Sequence, residues 1–150
     1  MAKGGKDLDR SAMHLLHRAG QCATEIFGSE ARTSGLTPRQ FAVLKVVADE
    51  EGLSQTDLVE RTGIDRSTLA DIVARLLRRG LLQRRRTKED ARAYAVKLSP
   101  QGARALREAQ PAAAATDQLL LAGLPPGKRQ DFVDALNLIV AAAGAGRERR

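Results

Sequence analysis

Residues Ser54 to Gly80 read SQTDLVERTGIDRSTLADIVARLLRRG and contain the most informative pattern in the chain. Ser54, with Asp57 three residues later, predicts the start of a short helix that Gly63 ends. Asp65 predicts the cap of a longer helix, which Gly80 ends. A short helix, a tight turn at a glycine and a longer helix in direct succession are typical of a helix-turn-helix.

The longer helix is amphipathic, so one face is predicted to be buried and the other to be open for binding. In a helix-turn-helix, the second helix enters the DNA major groove with its amino-terminal end first. The candidate DNA-binding residues on it are Arg66, Ser67, Thr68 and Arg75. A forked arginine such as Arg66 can bind a guanine edge. The simpler alternatives are that Asp65 is only a helix cap and that Asp71 only pairs with Arg75, four residues on.

The residues after Gly80 predict a β-hairpin that is rich in arginine. Residues 81–84 indicate a short strand, and residues 85–92 indicate a loop because they contain no apolar residue before Ala91. Residues 94–98 alternate between large apolar and smaller or charged side chains, which is the period of a half-buried strand. A helix-turn-helix that is followed directly by such a basic wing is a far more specific pattern than either part alone.

The wing supplies a second set of candidate DNA-binding residues, which are Arg84, Arg86, Lys88, Asp90 and Arg92. Arginine side chains enter narrow minor grooves, where the negative potential is enhanced. Asp90 can hold the Arg92 guanidinium in a fixed orientation; the alternative is a turn aspartate beside a solvated arginine.

Helices are predicted on both sides of this unit. Apolar residues recur every three or four positions over residues 8–30, and Thr37-Pro38 with Gln40 predicts a second, capped helix. Ser99-Pro100 starts a further helix, and a last amphipathic helix follows the break at residues 123–127. Pro111 lies inside the helix that starts at Ser99-Pro100 and is expected to kink it, because the proline ring removes one backbone hydrogen bond.

Composition and charge agree with this pattern. The chain has 150 residues with a formal charge of +7, is 43% apolar, and has only 3% aromatic residues. These values favour one folded, mainly helical domain and argue against a β-sandwich or an RNA-stacking platform. Residues 75–92 carry eight basic and two acidic side chains, so they hold almost all of the net charge. A concentrated basic stripe is the electrostatic footprint of a nucleic-acid-binding protein.

Several classes of protein are excluded or disfavoured. The single cysteine, Cys22, excludes an intrachain disulfide and any multi-cysteine zinc finger. The chain has no apolar run long enough for a membrane span and no secretory signal at its start, so we expect a soluble, cytoplasmic protein with no membrane partner. It has no phosphate loop, nucleophile elbow or paired-carboxylate motif, so an enzyme is not expected. No cofactor is expected either.

Five stretches of the sequence match a known family pattern, namely Leu36–Leu44, Leu58–Thr68, Leu76–Arg84, Asp90–Arg92 and Val96–Gly102. In these stretches the sequence resembles the MarR family of bacterial repressors. It covers residues 8–143 and implies a mainly α-helical fold with a small β-wing. In the single domain 1–150 that it implies, residues 36–99 form a winged helix-turn-helix lobe, and residues 8–30 and 100–145 form a helical dimerisation stalk. Pro111 departs from the family pattern, in which that helix is often uninterrupted.

The resemblance also implies function. A family member is expected to be an obligate homodimer that binds a near-palindromic operator on double-stranded DNA, usually as a repressor, and leaves it when an effector binds. By analogy, Arg92 is the wing-tip residue in the minor groove, oriented by Asp90. Family pockets lie between the stalk and the lobe, which makes His14, His17 and Arg18 on the first helix candidate effector-binding residues. The effector expected from the family is an aromatic acid or its CoA thioester.

Alternatives to that effector site remain open. His14, His17 and Arg18 can equally be surface or dimer-packing residues. The two histidines form at most half of a metal site, so no metal is predicted. Cys22 is a candidate redox sensor, but its place in the apolar stripe favours a buried structural thiol. A winged-helix interaction module without an effector is the remaining alternative.

Overall fold

The structure is a computed structural model that describes residues 7–86 and 94–147. It is mainly helical with one small antiparallel sheet, as predicted. The helices are α1 (Ala12–Glu30), α2 (Pro38–Asp49), α3 (Gln55–Thr62), α4 (Arg66–Arg78), α5 (Pro100–Leu121) and α6 (Arg129–Arg147). The strands are β1 (Leu82–Arg86) and β2 (Tyr94–Leu98), and a 3-10 turn covers Pro126–Lys128. Two compact units are present, Met1–Thr116 and Asp117–Arg150.

The helix-turn-helix consists of α3 and α4, and local hydrogen bonds fix its ends. Ser54 Oγ accepts from the Asp57 N–H at 3.1 Å, and Asp57 Oδ2 accepts from the Ser54 N–H at 2.9 Å. Gly63 ends α3 with a φ of 70°, which glycine adopts without strain. Asp65 Oδ2 then accepts from the Thr68 N–H at 3.0 Å and caps α4. These contacts confirm the capping prediction at both helix starts.

The carboxyl end of α4 is closed by a Schellman motif. The Leu81 N–H donates to the Leu76 carbonyl oxygen at 2.9 Å, and the Gly80 N–H donates to that of Leu77 at 3.0 Å. Gly80 has a φ of 72°, as this motif requires. The turn leads directly into β1.

The wing strands pair over five residues, from Leu82 opposite Leu98 to Arg86 opposite Tyr94. β1 therefore begins one residue later than the predicted strand 81–84 and ends two residues later, because β2 supplies pairing partners as far as Tyr94. A third segment joins the sheet, since the Val96 N–H donates to the Leu53 carbonyl oxygen at 3.1 Å. The sequence pattern did not predict this pairing.

The core of the first unit lies between α2, α3, α4 and the sheet. Its largest fully buried side chains include Leu44, Leu58, Leu69 and Leu76. The predicted inner face of α4 is confirmed, because Ile72 and Val73 are buried with Leu69 and Leu76. Phe27 joins this core from α1, with its ring 5.8 Å from that of Phe41.

The outer helices differ from the prediction in two respects. α1 begins at Ala12 rather than residue 8, because Ser11 caps it by accepting from the His14 N–H at 3.3 Å. Pro111 lies exposed inside α5 and does not end it. The kink at Pro111 stays a prediction. None of the described helices is long and apolar enough to cross a membrane.

Candidate nucleic-acid interface

The predicted recognition face of α4 is open to solvent. Arg66 and Ser67 are exposed in its first turn, and Thr68 is half-buried beside them. Arg66 Nη2 lies 3.5 Å from the hydroxyl oxygen of Thr56, at the start of α3. The apolar residues of α4 face the core, so the structure leaves this polar face in position to meet a partner.

Asp65 is a helix cap, as its simpler interpretation predicted. Hydrogen bonds from the Thr68 side chain and backbone lower the pKa of its carboxyl below the ordinary value. Asp57, which caps α3, is similar, because hydrogen bonds from the Ser54 backbone and hydroxyl lower its pKa. Both carboxylates stay ionised near neutral pH, where they stabilise helix starts.

Arg75 is held on the outer side of α4. Its Nε lies 3.5 Å from Asp71 Oδ2, which confirms the predicted pairing of these two residues. Both side chains are more than 60% exposed, so this ion pair adds little stability and leaves the guanidinium accessible. Arg75 therefore remains a candidate contact to DNA.

The wing carries its described charge along β1. Arg84 and Arg85 are exposed, and the backbone of Arg86 ends the strand. The predicted contacts Lys88, Asp90 and Arg92 lie outside the described residues, and so does the side chain of Arg86. Their roles stay predictions.

Arg79 belongs to the basic stretch by sequence but binds protein atoms. Its Nη1 donates to the Gly35 carbonyl oxygen at 3.1 Å, and its Nη2 donates to that of Ser34 at 3.3 Å. These partners lie in the turn between α1 and α2. The sequence analysis missed this contact, because Arg79 is separated from Gly35 by 44 positions and from Ser34 by 45, and no local pattern links residues so far apart.

The three candidate effector residues lie along α1, with His14 half-buried and His17 and Arg18 exposed. The structure also contains a cavity of about 360 Å³. It is lined by Thr24 of α1, by the first turn of α2, and by the side of α4 that carries Thr68 and Arg75. His14, His17 and Arg18 do not line this cavity. Among the described residues, no group of three or more potential ligands is arranged to hold a metal ion.

The prediction of a buried Cys22 thiol is wrong for the single chain, in which Cys22 is exposed. The reason is that the first unit covers only the carboxyl-terminal part of α1, where Phe27 is the buried residue of the helix. The rest of the apolar stripe stays open, and Leu15 and Leu16 are 45% and 43% exposed.

Comparison with known proteins identifies the family. The model of the MarR family matches residues 34–93. The HTH-type transcriptional repressor NicR of Pseudomonas putida is 34% identical over 123 residues, which cover 82% of this chain and 78% of NicR.

Two solved structures share the fold over most of their length. The PcaV transcriptional regulator of Streptomyces coelicolor, in complex with its natural ligand, has a TM-score of 0.85 and 34% identity, covering 95% of this chain and 99% of PcaV. BpsR of Bordetella bronchiseptica, whose DNA binding is regulated by 6-hydroxynicotinic acid, has a TM-score of 0.81 and 34% identity, covering 87% of this chain and 93% of BpsR. With the capped helix-turn-helix and its basic wing, these matches show that the chain belongs to the MarR family of transcriptional regulators.

Proposed function

We propose that the protein is a sequence-specific repressor that binds a near-palindromic operator as a homodimer and leaves it when a small effector binds. The observation that carries this proposal is the exposed polar face of α4, together with the exposed Arg84 and Arg85 of β1. Their shared positive charge matches the phosphate backbone of DNA. The names of NicR as a repressor and of BpsR as a ligand-regulated DNA-binding protein support the same function.

In this proposal α4 reads bases in the major groove. Arg66 is exposed at the amino-terminal end of α4, from which recognition helices enter the groove. A bidentate arginine–guanine pair contributes about 1–3 kcal/mol of discrimination between bases. Ser67 and Thr68 bind phosphates or base edges. Arg75 lies further along α4 and also binds DNA.

The wing adds contacts beside the major groove. Arg84 and Arg86 on β1 approach the phosphates, together with Lys88. Arg92 enters the minor groove, oriented by Asp90. Loss of the Arg92 side chain is expected to weaken operator binding, and unchanged affinity would contradict this role.

Dimerisation is supported by apolar surface that a single chain leaves exposed. In the first unit this surface lies on α1, at Met13, Leu15 and Leu16. In the second unit it lies on α6, at Leu138, Ile139 and Val140. Apolar surface of this kind marks a protein interface. A two-fold dimer would read half-sites about 34 Å apart, one turn of DNA.

The proposed effector is an aromatic acid or its CoA thioester, bound by His14, His17 and Arg18. Arg18 suits a carboxylate because a guanidinium binds both oxygens at once. The regulation of BpsR by 6-hydroxynicotinic acid supports an aromatic acid. A protein with this function acts in the cytoplasm, where its DNA is, and needs neither a cofactor nor catalysis.

A redox-sensing repressor is the second candidate, because Cys22 is exposed in the single chain. It predicts that mild peroxide releases DNA from the wild type but not from Cys22→Ser. A winged-helix module without an effector predicts that neither peroxide nor any acid changes DNA affinity.

One experiment tests the proposal. The wild-type protein first selects a duplex from a random-sequence library. The melting temperature of the protein is then measured with 6-hydroxynicotinic acid, other aromatic acids, CoA thioesters and peroxide. A ligand that binds the folded state raises the melting temperature by mass action. We expect an acid that does so to release the selected duplex, and His14→Ala and Arg18→Ala to weaken that response. An intact response in both variants would overturn the effector site but not DNA binding.

A further inference from the structure

Arg79 joins the end of α4 to the turn between α1 and α2. One planar guanidinium donates through Nη1 to the Gly35 carbonyl oxygen at 3.1 Å and through Nη2 to the Ser34 carbonyl oxygen at 3.3 Å. Two fixed donors thus meet two consecutive acceptors. A lysine ammonium lacks this forked geometry, although it carries the same charge.

The turn that Arg79 binds is itself well fixed. Ser34 is 7% exposed, and its hydroxyl donates to the Ala31 carbonyl oxygen at 2.9 Å and accepts from the Leu36 N–H at 3.3 Å. Ala31 and Leu36 are both buried in the core of the first unit. The guanidinium therefore binds a part of the backbone that is anchored on both sides.

The other end of the contact is fixed to α4. The Arg79 N–H donates to the Arg75 carbonyl oxygen at 3.0 Å and so belongs to the last turn of the helix. Gly80 then turns the chain into β1. A displacement of the end of α4 relative to the α1–α2 turn that exceeds the reach of the exposed Arg79 side chain would break its two hydrogen bonds.

We propose that Arg79 is a positioning residue for DNA recognition, which holds α4 at a set angle to the α1–α2 turn and does not itself bind DNA. The inference rests on the proposed function, since it requires that α4 reads DNA. A run of arginines at residues 78, 79 and 84–86 suggests phosphate contacts throughout. The hydrogen bonds of Arg79 instead assign its guanidinium to two protein carbonyls.

The test uses Arg79→Gln, Arg79→Lys and the control Arg78→Gln, which removes the neighbouring exposed arginine of α4. Affinity is measured for the duplex that the wild type selects and for an unrelated duplex of equal length, each over a range of salt. We expect Arg79→Gln and Arg79→Lys to bind the selected duplex roughly tenfold more weakly. Their affinity for the unrelated duplex and their dependence on salt should match the wild type, because no phosphate contact is lost.

Three results would overturn the proposal. Equal weakening on both duplexes with a shallower salt dependence would make Arg79 a phosphate contact. Wild-type affinity for both duplexes in the folded Arg79→Gln variant would reduce Arg79 to a structural role. Full recovery of discrimination in Arg79→Lys would show that charge, and not the forked geometry, is what matters.

Failure of the proposed function is separable from failure of this inference. If the wild type selects no duplex, DNA recognition itself is refuted, and amide hydrogen exchange of residues 31–36 still tests the Arg79 contact. Faster exchange in Arg79→Gln than in the wild type and Arg78→Gln supports the contact. Equal exchange in all three proteins overturns it.

Discussion

The hydroxyl of Ser99 donates to the Gly80 carbonyl oxygen at 2.5 Å, across 19 residues of sequence. The Ser99 hydroxyl oxygen in turn accepts from the Gly102 N–H at 2.9 Å, at the start of α5. The Ser99 N–H donates to the Leu81 carbonyl oxygen at 3.1 Å. One buried serine thus joins the end of α4, the exit of the wing and the start of α5.

Replacement of this serine is expected to destabilise the fold. Ser99→Ala leaves the Gly80 carbonyl and the Gly102 N–H without their side-chain partner, and such a loss costs about 1–3 kcal/mol when the groups are buried. Denaturant unfolding measures it, with Ser29→Ala at an exposed position of α1 as the control. A loss no larger than that of the control would show that Ser99 is dispensable.

Gly102 is expected to tolerate no side chain. A Cβ built on it would lie 2.0 Å from the Leu81 carbonyl oxygen, which is backbone and cannot move aside cheaply. Gly102→Ala should therefore lower the melting temperature strongly or prevent folding. Gly127→Ala is the matched control, because nothing lies within 4 Å of that position. Similar melting temperatures for the two variants would contradict the close packing of α5 against Leu81.

Stability should fall in acid because of two capping carboxylates. Hydrogen bonds lower the pKa of Asp57 and of Asp65 in the folded protein. A lowered pKa means that these groups stabilise the fold above the ordinary aspartate pKa, near pH 4, and lose that effect as the pH falls through the lowered value. The double variant Asp57→Asn/Asp65→Asn retains an oxygen acceptor at each cap, but its amide side chains do not titrate.

Unfolding free energies between pH 7 and pH 3 test this expectation. The unfolding free energy of the double variant should depend less on pH than that of the wild type. Near pH 3 the two proteins should have similar stability. Parallel curves for the two proteins would mean that other groups govern acid unfolding.

A homodimer is expected in solution, with twice the chain mass of 16.2 kDa. Leu138 on α6 is 72% exposed in the single chain, so Leu138→Glu should leave the chain folded and favour monomers. Light scattering with size-exclusion chromatography gives the mass, and Asn137→Glu, also exposed on α6, serves as the control. A monomeric wild type at micromolar concentration would remove the basis for two-fold operator recognition.

The sequence predicted those features whose causes are local. The caps at Thr37, Ser54 and Asp65 and the glycine after α4 depend on residues within a few positions, and all are present. The face of α4 that carries Arg66 and Ser67 followed from helical periodicity. The resemblance to the MarR family also agreed with the structural and sequence comparisons.

Features that depend on distant parts of the chain were missed. The pairing of Leu53 with Val96 and the bonds from Arg79 to the α1–α2 turn join segments that share no local pattern. Burial of Cys22 was predicted from an apolar stripe, but a stripe shows which face seeks a partner and not whether the same chain supplies it. The side chains of Lys88, Asp90 and Arg92 lie outside the described residues, so their roles remain predictions.

Basic side chains of α4 and the wing are proposed to bind the phosphate backbone of DNA. A titration of duplex affinity against salt measures this binding, because each neutralised phosphate releases counterions. If a dimer neutralises about eight phosphates, the logarithm of the binding constant should fall with the logarithm of salt concentration at a slope near −7. A slope near zero would contradict the claim.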